Sequence, residues 1–294
     1  TQELRGRIER IHPEADGGGT VVIRPGHRWG GHEPGQYLRI GVVVDGIHHW
    51  RAYSLTSESD RPDGCITITP KLVDGGKVSP WFVRDARPGE IVRLGGVEGT
   101  FVLPDPVPPR LLLISAGSGI TPIMSMLRSI DRCGDYCDVV HIHSARNHER
   151  VIFGDELRQL DAERPWLTLH VQETATAGRF APPNLDALCP DWESRLTLAS
   201  GPGAMLDDLS AHWETAGIPD RLMMERFQPV IGGVPGLGNG GRVTFTSSGT
   251  SSDCDAGTPI LVAGEQAGVD MPYGCRMGIC HTCVGRLCSG KLRD

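Results

Sequence analysis

Leu111-Leu112-Leu113-Ile114-Ser115-Ala116-Gly117-Ser118-Gly119-Ile120-Thr121-Pro122 is the stretch on which the fold turns. A short, unbroken apolar run reads as a strand buried on both faces. Two glycines separated by one residue then turn the chain, and a helix is predicted over residues 122–130, with Pro122 suited to its first turn. A nicotinamide dinucleotide docks in such a context, at the carboxyl end of a strand and the start of a helix. Gly117, Gly119, Thr121 and Pro122 are therefore candidate nucleotide-binding residues. The turn departs from the GxGxxG fingerprint, because Pro122 occupies the third glycine position.

Beyond this turn the alternation continues, with strands expected at 139–143, 166–172 and 195–199 and helices at 153–160 and 204–216. Strands alternating with helices predict an α/β domain with a parallel sheet, assigned to residues 104–228. Upstream, short β-branched runs at 20–23, 36–44, 65–72 and 90–94 are separated by Gly, Pro and Asp clusters. Residues 1–103 therefore read as an all-β domain, a barrel or a sandwich. Downstream, residues 229–241 are rich in Gly and Pro and nearly uncharged, as in a linker. Strand-like runs at 242–247 and 259–262 open a small third domain, 242–294.

A length of 294 residues suits two or three domains. The 39% hydrophobic and 22% charged fractions permit buried cores and exclude wholesale disorder. A formal charge of -7 argues against a phosphate-backbone binder, so no nucleic-acid partner is expected. No run approaches the ~18 apolar residues that span a bilayer, and residues 1–10 carry no apolar signal core. A cytoplasmic protein without a membrane span is the expectation, compatible with peripheral association with a membrane-bound partner.

Nine cysteines are present, and Cys275, Cys280, Cys283 and Cys288 crowd the C-terminal end. Cys275, Cys280 and Cys283 form C-x4-C-x2-C, in which three thiolates from one loop can wrap a plant-type [2Fe–2S] cluster. Gly274 and Gly278 let the backbone close around it. The competing readings are a zinc site or three unrelated thiols, and structural zinc prefers paired C-x2-C halves. His281 lies inside the loop, but the spacing is not that of a Rieske centre. A fourth cysteine is required, and it is expected beyond Asp294 in a domain that continues past the sequence given. Cys288, close behind Cys283, is read as a structural thiol, and the scattered cysteines as small buried or surface residues.

Two patches in the β domain suit a flavin. Arg51-Ala52-Tyr53-Ser54-Leu55-Thr56 offers a cation for phosphate, an aromatic ring for the isoalloxazine and a hydroxyl for the ring nitrogen. Arg51 and Tyr53, two apart, share one face of a strand. Gly75-Gly76-Lys77-Val78-Ser79 precedes a helix expected from Pro80 and suits pyrophosphate. Taken singly, each is as well explained by a surface strand and a turn. Ser144-Ala145-Arg146 follows the second α/β strand, where nicotinamide cofactors are discriminated. No acidic residue is there for a ribose 2′-OH, while Arg146, with Arg150, suits a 2′-phosphate; NADPH is favoured and NADH stays open.

In order along the chain, R-x-Y-S at Arg51 to Ser54, G-G-x-V-S at Gly75 to Ser79, G-x-G-x-T-P at Gly117 to Pro122, G-P-G-x-M at Gly201 to Met205 and E-R-F at Glu225 to Phe227 resemble the ferredoxin–NADP reductase superfamily. With the cysteine loop, the chain looks like the reductase components of bacterial steroid hydroxylase, phenylacetyl-CoA epoxidase and mycobacterial acyl-CoA desaturase systems. The resemblance implies an antiparallel β-barrel flavin domain, an α/β nucleotide domain and a partial β-grasp ferredoxin domain. It also implies FAD and an oxygen-activating partner, an oxygenase or monooxygenase or else a desaturase. Arg51 would then hold FAD phosphates, Tyr53 pack on the flavin and Ser54 face its N5, while Gly119 and Thr121 approach the nicotinamide half. Ser200 stands where many relatives carry a cysteine beside the nicotinamide, followed by Gly201 and Pro202, and Glu225 is placed at the flavin edge or in a surface ion pair.

The expected chemistry is hydride transfer from NAD(P)H to FAD, then single electrons to the cluster and onward. A stand-alone flavin or quinone reductase, and a non-catalytic redox-sensing module, are the competing functions.

Overall fold

The computed structural model describes residues 4–134, 137–227, 240–254, 258–269, 271 and 285–290. The chain divides into two compact units, Thr1–His48 with Ala52–Phe227, and His49–Arg51 with Gln228–Asp294.

The amino-terminal half is an antiparallel sheet of β1 (Leu4–Glu14), β2 (Gly18–Pro25), β3 (Tyr37–Val44), β4 (Ile47–Ser54), β5 (Ile66–Ile68) and β6 (Ile91–Glu98). The order is β4-β3-β6-β1-β2-β5. The two edges meet: Leu55, just past β4, bridges Ile68 of β5, and Thr56 N donates to Thr67 O at 2.8 Å. The sheet is thus a closed barrel with no open edge there. Ile8, Ile23, Leu38, Ile40, Leu55 and Ile68 fill it without exposed surface. Near the closure, Thr56 Oγ1 meets Thr67 Oγ1 at 2.7 Å and Thr20 Oγ1 meets Thr69 Oγ1 at 2.9 Å, so buried hydroxyls satisfy one another. The strand expected over 65–72 is only three residues long: Pro70, without an N–H to donate, interrupts the ladder, which resumes as a bridge between Gly18 and Lys71. The helix expected from Pro80 starts earlier, with α1 (Val78–Pro80) running into a wider helical turn over Trp81–Asp85.

The second half alternates β7 (Arg110–Ala116), α2 (Ile120–Cys133), β8 (Asp138–Ala145), α3 (Gly154–Glu163), β9 (Leu167–Glu173), a short α4 (Leu185–Leu188), β10 (Leu196–Ser200), α5 (Gly203–Thr215) and β11 (Leu222–Glu225). The strands form one parallel sheet, β11-β10-β7-β8-β9. The apolar run of β7 feeds both faces: Leu111 and Leu113 pack with Ile123 and Leu127 of α2, while Leu112 and Ile114 pack with Leu209 and Trp213 of α5. Succession reverses between β7 and β10, which makes that pair the topological switch point where open α/β sheets bind ligands.

In the second unit, β12 (Gly241–Phe245) and β13 (Thr250–Cys254) form an antiparallel hairpin, followed by α6 (Ile260–Gln266). The strand expected at 259–262 is this helix. Four apolar residues fit either period, and Pro259 at the N-cap starts a helix more readily than it continues a ladder. Gly264 lies so close to Phe245 that a Cβ there would come within 3.1 Å of the ring. Among the described residues no helix is long and apolar enough to cross a membrane.

At the amino ends of the central strands, Arg195 is nearly buried and ties three elements together. Its guanidinium donates to Asp138 Oδ2 (2.6 Å), Asp191 Oδ1 (2.8 Å) and the carbonyl oxygens of Asp138 (2.9 Å) and Leu111 (3.2 Å). Removing a buried, multiply bonded cation strands its partners. Both carboxylates are partly solvated, so Arg195→Met is expected to destabilise the first unit by about 2–3 kcal/mol, read as a lowered urea midpoint.

Candidate functional site

At the switch point two loops press together. The chain leaves β7 through a single 3-10 turn, Gly117–Gly119, in which Gly117 has φ 54°. It leaves β10 through Gly201 and Pro202, the N-cap of α5. A Cβ on Gly119 would lie 2.1 Å from Ser200 O and 2.8 Å from Gly201 N, closer than atoms can approach. Only glycine lets the two strand ends meet. Neither α2 nor α5 carries a side-chain cap on its first turn, so two uncapped helix starts open at the carboxyl edge, an arrangement suited to an anionic dinucleotide. Thr121 donates back to Ser118 O at 2.9 Å and Pro122 is buried in the first turn of α2, so both hold the turn's shape. Ser200 is fully buried, and its hydroxyl has no hydrogen-bond partner among the described residues.

Across the sheet, His143, Ser115, Ser200 and Glu225 occupy one register row. Ser115 Oγ lies 2.9 Å from His141 Nε2 and 2.8 Å from His143 Nδ1, with all three side chains fully buried. A hydroxyl between two imidazoles donates to one ring and accepts from the other, an arrangement that suits neutral rings. Burial pushes His143 down to about 4, and burial with the neighbouring His143 pushes His141 well below the ordinary range. Glu225 is half-buried, makes no ion pair among the described residues, and is pushed up to about 6 by loss of solvent.

At the end of β8, Ser144 is buried, whereas Arg146 is exposed and makes no ion pair among the described residues. Arg150 is drawn away to the barrel, where its guanidinium lies 3.4 Å from Asp16, which also binds Lys71.

In the barrel, Arg51, Tyr53 and Ser54 lie along β4. Arg51 donates to Trp50 O at 2.8 Å. Tyr53 stands edge-on to Phe82 at 5.7 Å, which fixes the plane of its ring. Ser54 is nearly buried, while Leu55 and Thr56 are wholly so and serve barrel closure. In the glycine loop, Gly75 has φ 71°, Gly76 N donates to Val73 O at 2.9 Å, and Ser79 Oγ accepts from Val73 N at 3.2 Å. Val78 is buried and Lys77 reaches Asp45 at 3.6 Å. No side chain caps the helical turn that follows, so this loop can receive phosphate through backbone N–H groups.

Sequence reading missed Ser57, Ser125 and Arg128. Ser125 Oγ donates to Ser57 O at 2.6 Å and Arg128 Nη1 to Thr56 O at 2.6 Å, which joins α2 to the chain just past β4. A charged residue, Arg128, after the mostly apolar residues 120–127 was the available signal. Cys275, Cys280 and Cys283 lie outside the described residues. Cys288 is exposed, and Cys65, Cys137 and Cys189 are buried.

Fold and crevice together define an oxidoreductase built on a flavin barrel and a nicotinamide-binding sheet. The models of an oxidoreductase FAD-binding domain, an oxidoreductase NAD-binding domain and a 2Fe-2S iron-sulfur cluster binding domain match residues 27–103, 113–184 and 243–294. An NADPH oxidoreductase of Mycobacterium tuberculosis is 45% identical over 100% of this chain and 77% of that protein. The ferredoxin reductase component of a 3-ketosteroid-9-alpha-monooxygenase from Mycolicibacterium smegmatis is 30% identical over 89% of this chain and 77% of its own. Phthalate dioxygenase reductase, a solved structure, superposes with a TM-score of 0.61 at 23% identity, over 99% of this chain and 90% of that one. The chain belongs to the ferredoxin–NADP reductase family, in the group that carries a [2Fe–2S] ferredoxin domain after its nicotinamide domain. It is an NAD(P)H-dependent oxidoreductase whose cofactors are FAD, a pyridine nucleotide and a [2Fe–2S] cluster.

Gly119→Ala is expected to weaken nucleotide binding at least about tenfold while FAD is retained, checked by equilibrium titration, because its methyl group forces the two loops apart. A second expectation concerns acid. The unfolded chain takes up a proton at His143 near pH 6.5 and the folded one only near pH 4. Stability therefore falls as pH drops through this window, by about 3 kcal/mol from this residue, and urea midpoints in His143→Asn should fall less steeply.

Proposed function

We propose that this chain is the reductase component of an oxygenase system, oxidising NADPH and delivering electrons singly to an oxygen-activating partner. What carries the reading is the switch-point crevice: two uncapped helix starts, a glycine contact that holds them together and the orphan hydroxyl of Ser200 between them. FAD, when bound, supplies the conversion of a two-electron hydride donor into single electrons for a [2Fe–2S] centre. This chain's residues bind and orient.

In this reading Arg51 and backbone N–H groups of the loop Gly75, Lys77, Val78 and Ser79 hold the FAD phosphates, and Gly76, bonded to Val73 O, shapes the loop. Tyr53, its plane set by Phe82, covers the ring system, Ser54 offers a hydrogen bond at its edge, and Leu55 and Thr56 act through the backbone. Gly117, Gly119, Thr121, Pro122, Gly201 and Pro202 shape the nucleotide cradle, with Ser144 beneath the ribose, and Ser200 satisfies its hydroxyl on the nicotinamide amide. Glu225, pushed up to about 6 by burial, gains a proton at the edge of the crevice as pH falls through mildly acidic values. Cys275, Cys280 and Cys283 supply three cluster thiolates. The flavin domain is taken as residues 1–103, the nicotinamide domain as 104–228, and the ferredoxin domain as 242–294 after a linker at 229–241.

Two observations support NADPH over NADH: the exposed Arg146 without an ion pair, and the name of the relative from Mycobacterium tuberculosis. An oxygenase partner is supported by relatives named as reductase subunits of monooxygenase systems. An anaerobic titration tests the electron path: NADPH should bleach the flavin and then the cluster absorbance, and a bleached flavin with an unchanged cluster would refute it. Arg146→Ala should raise KM for NADPH by about tenfold and leave that for NADH unchanged, the loss of one charge-assisted contact. Reconstitution with an oxygenase and, separately, with a fatty acyl desaturase distinguishes the two acceptor classes.

A further inference from the structure

We infer that Ser125 and Arg128 of α2 are positioning residues that set the distance between the nicotinamide cradle and the flavin strand; the inference rests on the flavin and nicotinamide assignments above. The helix α2 begins at the turn Gly117–Gly119, so its first residue moves with the nucleotide cradle. At 1.5 Å per residue, Ser125 stands roughly 9 Å and Arg128 roughly 14 Å along the helix from Gly119. Both reach the same short piece of barrel: Ser125 Oγ donates to Ser57 O at 2.6 Å and Arg128 Nη1 to Thr56 O at 2.6 Å. These carbonyls follow Ser54 by two and three residues.

The bracket is stiff at both ends. Arg128 is held by Glu156 of α3 through two parallel bonds, Nε to Oε1 at 2.8 Å and Nη2 to Oε2 at 2.6 Å, and its guanidinium lies 4.9 Å from the centre of the Phe153 ring. On the barrel side, Thr56 N donates to Thr67 O at 2.8 Å and Thr67 N to Ser57 Oγ at 3.1 Å. His32 Nε2 also lies 3.2 Å from Ser57 O. Thr56, Ser57 and Ser125 have no exposed surface, so the Ser125–Ser57 bond is shielded from water, while the Arg128 contacts are part-buried. The Arg150–Asp16 pair also bridges barrel and nucleotide domain, but it is half-exposed on the arginine side and weaker for that reason. Hydride transfer falls steeply with donor–acceptor separation, so a link of this kind acts on rate at saturating nucleotide more than on affinity.

The experiment uses holoprotein of Ser125→Ala, Arg128→Met and Arg128→Lys. Single-turnover bleaching of the flavin by saturating NADPH should slow about tenfold or more in Arg128→Met and severalfold in Ser125→Ala. The dissociation constant for the nucleotide should stay within about twofold, and Arg128→Lys should recover part of the rate. Amide exchange in residues 54–58 should quicken in both deletion variants, a readout independent of turnover. Wild-type bleaching rates in Ser125→Ala and Arg128→Met overturn the inference, as does a rate loss that Arg128→Lys fails to recover. If Arg128→Met does not fold with FAD, Ser125→Ala decides alone. If the wild-type flavin is not bleached by either nucleotide, the functional reading fails instead; exchange in residues 54–58 then decides the link, and unchanged exchange overturns it.

Discussion

No side chain can stand between Gly119 and the carbonyl of Ser200, and much of the first unit follows from that contact. The backbone of the turn after β7 touches the backbone after β10, which fixes where α2 and α5 begin. Both helices start without a side-chain cap at the same edge of the sheet, so their positive dipole ends face one crevice. Once its start is fixed, α2 has one direction open to it. Its apolar face covers Leu111, Leu113 and Val139, and its far side is thereby turned toward the barrel. Ser125 and Arg128 meet the carbonyls of Ser57 and Thr56 because of that placement.

The barrel answers with its own closure. Leu55 and Thr56 complete the ring of strands against Ile68 and Thr67, so the segment that α2 grips is itself immobilised by the sheet. A reductase whose donor and acceptor lie on separate domains needs such rigidity, since small misplacements cost large factors in rate. Buried polar groups beneath the crevice serve the same end. Ser115 ties β7 to β8 through His141 and His143, and the dry surroundings keep both rings neutral in the physiological range. Glu225, at the end of the same row, is pushed up to about 6 because burial excludes water and no cation among the described residues pairs with it.

Much of this was legible in local sequence. The apolar run from Leu111 to Ile114 and the glycines behind it announced a strand, a turn and a helix, since burial on both faces and a tight turn each leave a local mark. The cysteine spacing announced an iron–sulfur domain because ligand geometry is written in a few consecutive residues, and the family comparison agrees. The FAD-binding domain expected of the amino-terminal half agrees with the family comparison over residues 27–103, and the motif R-A-Y-S lies within it. Where local signals were ambiguous the reading failed: residues 259–262 have four apolar side chains that suit a strand or a helix, and the packing of Gly264 on Phe245 accompanies the helix. The strand β1 carried arginine and glutamate at alternate, outward positions and gave no apolar run to notice.

By itself, then, the sequence determined most of the elements and their order through propensity and periodicity, and the iron–sulfur cluster through ligand spacing, whereas FAD was implied by the resemblance of its motifs to a family. The tertiary structure alone decided which residues meet. Gly119 and Ser200 are far apart in the chain, as are Arg128 and Thr56, and no periodicity links them. Their contact depends on β7 and β10 pairing as neighbours and on the barrel closing through Leu55, both long-range outcomes of packing. So does the neutrality of His141 and His143, which comes from burial among elements that the two histidines do not themselves specify.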